Sequence, residues 1–161
     1  MIELKKRQNK SLAAPTAALT NEELLQLVTK LSEALQQRSE LRVPVSLFAA
    51  KLSPAEALVK YLKEQEKLRY ADIARLLNRD QRGIWCTYQR AQRKLPSALR
   101  VPPSPHTVPV SLFTERKFSI LEHVVQHLRS QNIAHKDIAQ LVNKSPSTIG
   151  TVSHRARRKL Q

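Results

Sequence analysis

The chain has 161 residues and a formal net charge of +15. An excess of that size points to a polyanionic partner, most often nucleic acid and less often an anionic membrane surface or an acidic protein. A single cysteine, Cys86, excludes an intramolecular disulfide and fits a reducing compartment, no apolar run approaches the length of a membrane span, and only two glycines and few aromatics favour helix throughout.

Residues 1–19 are basic and small-polar, include Pro15, and read as a disordered tail without the apolar core of a signal peptide. Residues 20–42 read as an amphipathic helix. Thr20-Asn-Glu-Glu23 has the form of a capping box, a hydroxyl at the cap and a carboxylate three residues on. Leu24, Leu27, Val28, Leu31 and Leu35 then recur at spacings of three and four, with Glu22, Lys30, Glu33, Gln36 and Gln37 elsewhere on the wheel. The stripe either packs on the chain's own repeats or pairs two copies as a homodimer through residues 20–37.

From Val43 onward the chain repeats at an offset of 65 residues. Val43-Pro-Val-Ser-Leu-Phe48 returns as Val108-Pro-Val-Ser-Leu-Phe113, and Arg90-Ala-Gln-Arg-Lys-Leu95 is answered by Arg155-Ala-Arg-Arg-Lys-Leu160. The two units, residues 43–95 and 108–161, carry +6 each, against +2 for residues 1–42 and +1 between the repeats. Each unit is near the lower size limit for independent folding, so the two are expected to support one another.

Within each unit the pattern predicts three short helices and an all-α fold. Ser53-Pro-Ala-Glu56 and Ser119-Ile-Leu-Glu122 are capping boxes opening helices over about 54–67 and 120–131. Their offset is 66 rather than 65, so one loop grows by a residue and the next shrinks. Second helices cover about 70–77 and 135–142, and third helices run from Asp80 and Ser145 to the basic ends.

Residues 96–107, PSALRVPPSPHT, hold four prolines and no glycine. They read as an extended, semi-rigid linker reaching about 35 Å. Adjacent major-groove half-sites lie about 34 Å apart, a distance such a spacer can bridge.

A helix-turn-helix needs a small residue where two helices cross, a turn residue tolerant of positive φ, an oxygen cap on the next helix and a branched apolar residue on its inner face. Ala74, Asn78, Asp80 and Ile84 fill these places in the first unit, and Ala139, Asn143, Ser145 with Pro146, and Ile149 fill them in the second. The strings Asp72-Ile-Ala-Arg-Leu-Leu-Asn78 to Ile84, and Asp137-Ile-Ala-Gln-Leu-Val-Asn143 through Ile149 to Leu160, resemble the helix-turn-helix of the sigma factor C-terminal domain, region four. The resemblance covers about 27 residues in each copy. It implies two winged-less helix-turn-helix modules, binding to promoter-type DNA and contact with RNA polymerase. The part of sigma factors that holds polymerase and opens DNA has no counterpart here, which argues against a complete sigma factor.

On the third helices, Gln81, Arg82, Trp85, Cys86 and Gln89 point away from Ile84. Their counterparts are Pro146, Ser147, Thr148, Gly150, Thr151 and His154. Arg82 is suited to guanine, Gln81 and Gln89 to adenine, and Thr148 and Thr151 to hydroxyl and methyl contacts, so a composite, asymmetric site is expected. Trp85 either meets a sugar or thymine methyl or packs on a neighbouring helix. Arg90, Arg93, Lys94, Arg155, Arg157, Arg158 and Lys159 are expected on phosphates, although cations also suit a helix C-terminus. Gly83 and Gly150 each cost about 1 kcal/mol relative to alanine in these helices, a cost that close approach of a sugar-phosphate backbone would justify.

No phosphate loop, nucleophile elbow or paired acids suggest an enzyme. His123 and His127, four apart, with His135, lack the further ligands of a metal site, so neither metal nor cofactor is expected. The expected function is therefore a sequence-specific regulator of transcription that binds double-stranded DNA, cytoplasmic and nucleoid-associated, with no membrane partner. The alternatives are an adaptor that grips RNA polymerase and a non-specific nucleoid or RNA-binding protein.

Overall fold

The structure is a computed structural model that describes residues 20–161, with residues 33–39 described by their backbone alone. The chain divides into two compact units, one ending at Ser39 and one spanning Glu40–Gln161. The expected tail of residues 1–19 and the side chains of Glu33, Leu35, Gln36 and Gln37 lie outside what is described.

In the first unit, helix α1 spans Asn21–Ser39. Its start is the expected capping box: the Glu23 amide donates to Thr20 Oγ1 at 3.3 Å, and the Thr20 amide donates to Glu23 Oε2 at 2.8 Å. Leu24, Leu25, Leu27, Val28 and Leu31 are exposed. The helix ends three residues short of the expected boundary, and the following residues are built into the second unit, where Leu41 accepts a backbone hydrogen bond from Val110.

The second unit contains six α-helices: α2 (Pro54–Glu64), α3 (Tyr70–Leu76), α4 (Gln81–Lys94), α5 (Ile120–Ser130), α6 (His135–Leu141) and α7 (Pro146–Leu160). Both expected capping boxes form, Ser53 with Glu56 and Ser119 with Glu122, their serine hydroxyls accepting the N3 amides at 3.3 and 3.2 Å. Helix α2 stops three residues before its expected end. Lys67 takes a left-handed conformation at φ 56°, and the Leu68 amide turns back to the Leu62 carbonyl. At the corresponding corner after α5, Asn132 does the same at φ 62°.

The fold is mainly helical, but it also holds a two-stranded sheet that the all-α expectation did not contain. Strand β1 (Arg42–Pro44) pairs antiparallel with β2 (Thr107–Pro109). A proline fixes its own φ near −65° and biases the residue before it toward extended backbone, so each Val-Pro step favours a strand. A 3-10 helix follows each strand, Val45–Ala49 and Val110–Thr114.

The register shows how the repeats are related. Val43 lies opposite Val108, Arg42 opposite Pro109 and Pro44 opposite Thr107, so repeat-equivalent residues exchange places across the pair. The flanking bonds obey the same exchange: Val45 donates to the His106 carbonyl at 3.0 Å, and Val110 to that of Leu41 at 2.9 Å. The two repeats are thus related by an approximate two-fold rotation passing near Val43 and Val108.

Packing follows that symmetry. The first 3-10 helix packs on α6 of the other repeat, the second packs on α3, and α2 meets α5. Phe48 and Phe113, both buried, meet edge to face with ring centres 6.2 Å apart. One continuous apolar core therefore runs through both repeats.

The Pro-rich stretch does not act as a free spacer. Leu99 is buried, its amide donates to Glu64 Oε2 at 3.2 Å, and its carbonyl accepts from Gln65 Nε2 at 3.1 Å. Ser46 Oγ donates to the Pro102 carbonyl. Glu64 is itself held by Lys60, fully buried, whose Nζ donates to Glu64 Oε1 and Gln92 Oε1 at 2.6 Å each. A buried ammonium requires such partners, and here they also fasten the connection to its own repeat.

Because Phe113 belongs to the second repeat but packs across the axis, Phe113→Ala should destabilise the whole unit by about 3–5 kcal/mol. In urea, Trp85 fluorescence, which reports the first repeat, and far-ultraviolet circular dichroism should shift to lower denaturant together. A Trp85 transition left at the wild-type midpoint would show that the repeats unfold separately.

Candidate nucleic-acid interface

The basic face is built on the third helix of each repeat, and local chemistry positions that helix in the same way twice. Helix α3 ends at Leu76, and Asn78 turns the chain at φ 49°, with the Arg79 amide donating to the Ala74 carbonyl at 2.8 Å. In the second repeat Asn143 has φ 50° and Lys144 donates to Ala139 at 2.9 Å. Both asparagines occupy the left-handed position expected of them. Ala74 and Ala139 are buried where the second and third helices pack together. Asp80 Oδ2 then accepts the Gly83 amide at 2.9 Å, and Ser145 Oγ accepts that of Thr148 at 3.2 Å, starting α4 and α7. Ile84 and Ile149 are buried beneath them.

Opposite those isoleucines, Gln81, Arg82, Trp85, Ser147, Thr148, Thr151 and His154 are exposed, and Gln89 is half-buried. Trp85 retains 49 % of its surface. With Tyr70, Asp80, Gln81 and Arg82 it lines an open hollow of about 440 Å³ at the start of α4. In α7 the hydroxyls are partly engaged within the helix: Thr148 Oγ1 lies 2.7 Å from Ser145 Oγ, and Thr151 Oγ1 donates to the Ser147 carbonyl at 3.0 Å. The methyl groups and the remaining oxygen lone pairs are what this helix presents.

The seven cations divide into two groups. Arg90, Arg93, Arg155, Arg157 and Arg158 are exposed, and among the described residues none of them, nor Arg82, is in a salt bridge. Lys94 and Lys159 are each in an ion pair. Lys94 Nζ donates to both oxygens of Glu56 at 2.9 Å, and Lys159 Nζ donates to Glu122 Oε2 at 2.7 Å. Each ties the end of its basic helix to the capping glutamate of the first helix in the same repeat, while the Lys94 side chain stays 54 % exposed and that of Lys159 39 %. Glu56 and Glu122 are each only 5 % exposed, and a carboxylate so placed needs a counter-charge.

Burial pushes both carboxyls up, but hydrogen bonds from the lysine and from the cap serine, together with the lysine charge, outweigh it and hold both below the ordinary glutamate value. Arg69 and Arg75 are likewise engaged, both on Asp72. Arg79 and Lys144, basic in both repeats directly before the caps, were not singled out by sequence. Their register equivalence was the available signal.

Both glycines have room. A Cβ on Gly150 would meet nothing within 4 Å, and one on Gly83 would meet only Asp80 Oδ2 at 3.9 Å, an ordinary contact. No packing among the described residues demands glycine at either place.

His123 and His127 lie on α5 and not on α4 or α7. His123 is buried, bonds the Glu115 carbonyl at 2.9 Å through Nε2, and packs edge-on against Phe113 and Phe118. His127 lies 3.2 Å from Gln131 Nε2. Among the described residues, no three His, Cys, Asp or Glu side chains gather as metal ligands, and no helix is long and apolar enough to cross a membrane. The chain matches no protein-family model, no curated protein and no solved structure.

The depressed glutamates give a pH dependence of definite sign. A carboxyl whose folded pKa lies below its unfolded value contributes stability that is present above the unfolded value and is lost as pH falls through the folded one. Glu122→Gln keeps the capping hydrogen bonds but removes the charge, so it should cost about 1–2 kcal/mol near neutrality. The loss should shrink on acidification through the carboxylate range. An undiminished loss at acid pH, measured by urea unfolding across that range, would assign the effect to packing instead.

Proposed function

We propose that the chain is a sequence-specific double-stranded DNA-binding regulator of transcription, and that each three-helix repeat is a helix-turn-helix module with α4 and α7 as its recognition helices. The observation that carries this reading is the exposed face of those helices. It combines arginines that are in no salt bridge among the described residues, polar side chains able to read base edges, and a glycine that no described packing requires. Arginines free of acidic partners are suited to phosphates, which fix register and contribute affinity without reading sequence. Arg82, Gln81 and Gln89 near the start of α4, and Ser147, Thr148, Thr151 and His154 on α7, have the chemistry for base edges. A helix surface lowered to a glycine admits a sugar-phosphate backbone closely, which accounts for a residue that is costly in helices.

Substitutions separate these roles. Arg82→Ala should relax base preference at one position at a cost of about 1–3 kcal/mol, while Arg93→Ala and Arg158→Ala should weaken binding to all duplexes and each reduce the salt slope by about 1. Gly150→Ala should stabilise the fold by about 1 kcal/mol yet weaken binding to duplex. The readout is fluorescence anisotropy with selected and scrambled duplexes over a range of salt. Equal losses on both duplexes for all three arginine variants would sink the division between reading and anchoring. Uniform affinity for unrelated duplexes, or preference for A-form RNA, would favour a backbone-only binder, and loss of polymerase capture alone would favour an adaptor.

The exposed stripe of α1 supports a second copy of this chain as a further partner. Leu24, Val28 and Leu31 follow the alternating three and four spacing of a coiled-coil seam, and Leu25 and Leu27 widen it. Val28→Lys with Leu31→Lys should convert a dimer to a monomer in sedimentation equilibrium. A wild-type monomer at high micromolar concentration would remove this partner.

A further inference from the structure

We infer that the two repeats read one DNA duplex as inverted, unlike half-sites, so that a single chain takes the place that a two-fold dimer occupies in other helix-turn-helix complexes. The inference rests on the DNA-binding reading above and adds the architecture of the site.

Two copies in tandem along a sequence suggest two half-sites in tandem along the DNA. In the fold, however, the repeats are related by rotation. Val43 faces Val108, the neighbours on either side exchange places, and the flanking hydrogen bonds of Val45 and Val110 exchange in the same way. A two-fold rotation brings α4 onto α7 with the part of its direction perpendicular to the axis reversed and the part along the axis unchanged. The strands of B-form DNA are antiparallel and are themselves related by two-folds perpendicular to the helix axis. Two recognition helices related by such an axis meet equivalent phosphates on opposite strands, so the second half-site is read on the complement of the first. This is why the palindromy of an operator mirrors protein symmetry.

The separation is also fixed. The β1–β2 pair, the Phe48–Phe113 contact and the docking of Leu99 hold the repeats in one core, and no loose spacer lets them adjust. The half-sites differ because the equivalent side chains differ: Arg82 corresponds to Ser147, Trp85 to Gly150 and Gln89 to His154. The bound sequence is accordingly inverted in geometry without being a palindrome in letters.

The full chain is first used to select duplexes from a random pool, and hydroxyl-radical footprints are taken on the winners. Protections on the two strands should be mirror images about one centre. Inserting about five base pairs at that centre, half a helical turn, should lower affinity about 100-fold. The face of α4 is then grafted onto α7 by Pro146→Gln, Ser147→Arg, Thr148→Gly, Gly150→Trp, Thr151→Cys and His154→Gln, and the selection is repeated. The grafted chain should now enrich a true palindrome.

Footprints repeated by translation, a grafted chain that enriches direct repeats, unchanged affinity after the insertion, or two separate duplexes bound per chain would each overturn the inverted arrangement while leaving DNA binding in place. No enrichment by the native chain would overturn the sequence-specific reading itself, and the arrangement with it. If the grafted chain fails to fold, the native footprints and the insertion decide the question.

Discussion

The second unit depends on one self-pairing: the segment Val-Pro-Val-Ser-Leu-Phe in each repeat finds its own copy in the other. Proline supplies extended backbone, the valines fill the centre, and the phenylalanines close the contact edge to face. A three-helix unit of about 53 residues buries little surface by itself. By crossing the axis, each 3-10 helix supplies apolar side chains to the other repeat, so the two marginal units share one core. The orientation of the basic helices follows from this contact, because α3 and α6, which position α4 and α7, are the helices that the 3-10 segments press upon.

Each repeat also reconciles two demands on its last helix. The helix must project cations outward, and it must be anchored at its far end. The anchor is the lysine at the end of the basic cluster, bound to a capping glutamate that is itself already engaged with its serine. One carboxylate therefore closes the start of the first helix and the end of the third. This arrangement recurs with offsets of 66 for the glutamate and 65 for the lysine, so the loop drift between the repeats is absorbed without disturbing it.

What was legible in the sequence is what is decided locally. The capping boxes at Thr20, Ser53 and Ser119, and the left-handed asparagines at 78 and 143, involve partners a few residues away, and their chemistry is written in adjacent letters. The burial of Ile84 and Ile149 and the exposure of the opposite helix face follow from helical period alone. The short strands, the docking of Leu99 and the ion pairs of Lys94 and Lys159 were not legible. Their partners lie 34 to 67 residues away, and nothing in a basic cluster says which lysine meets a glutamate. The repeat itself was plain, but a repeat in letters does not distinguish translation from rotation. Lys67 is a further case: a lysine at positive φ carries no signal of the turn that it makes.

Joining the two halves of a symmetric core in one chain changes how its surface responds to abundance. When two identical subunits must meet before both faces are available, the concentration of the assembled pair grows with the square of the free-subunit concentration and the assembled fraction vanishes on dilution. Here Val43 meets Val108 at a local concentration set by the chain itself, so both faces are present in every folded molecule and occupancy of any two-faced partner rises linearly from the first copies made. Separate encoding also frees each face from the other: a substitution at position 82 leaves position 147 untouched, a liberty that no homodimer has.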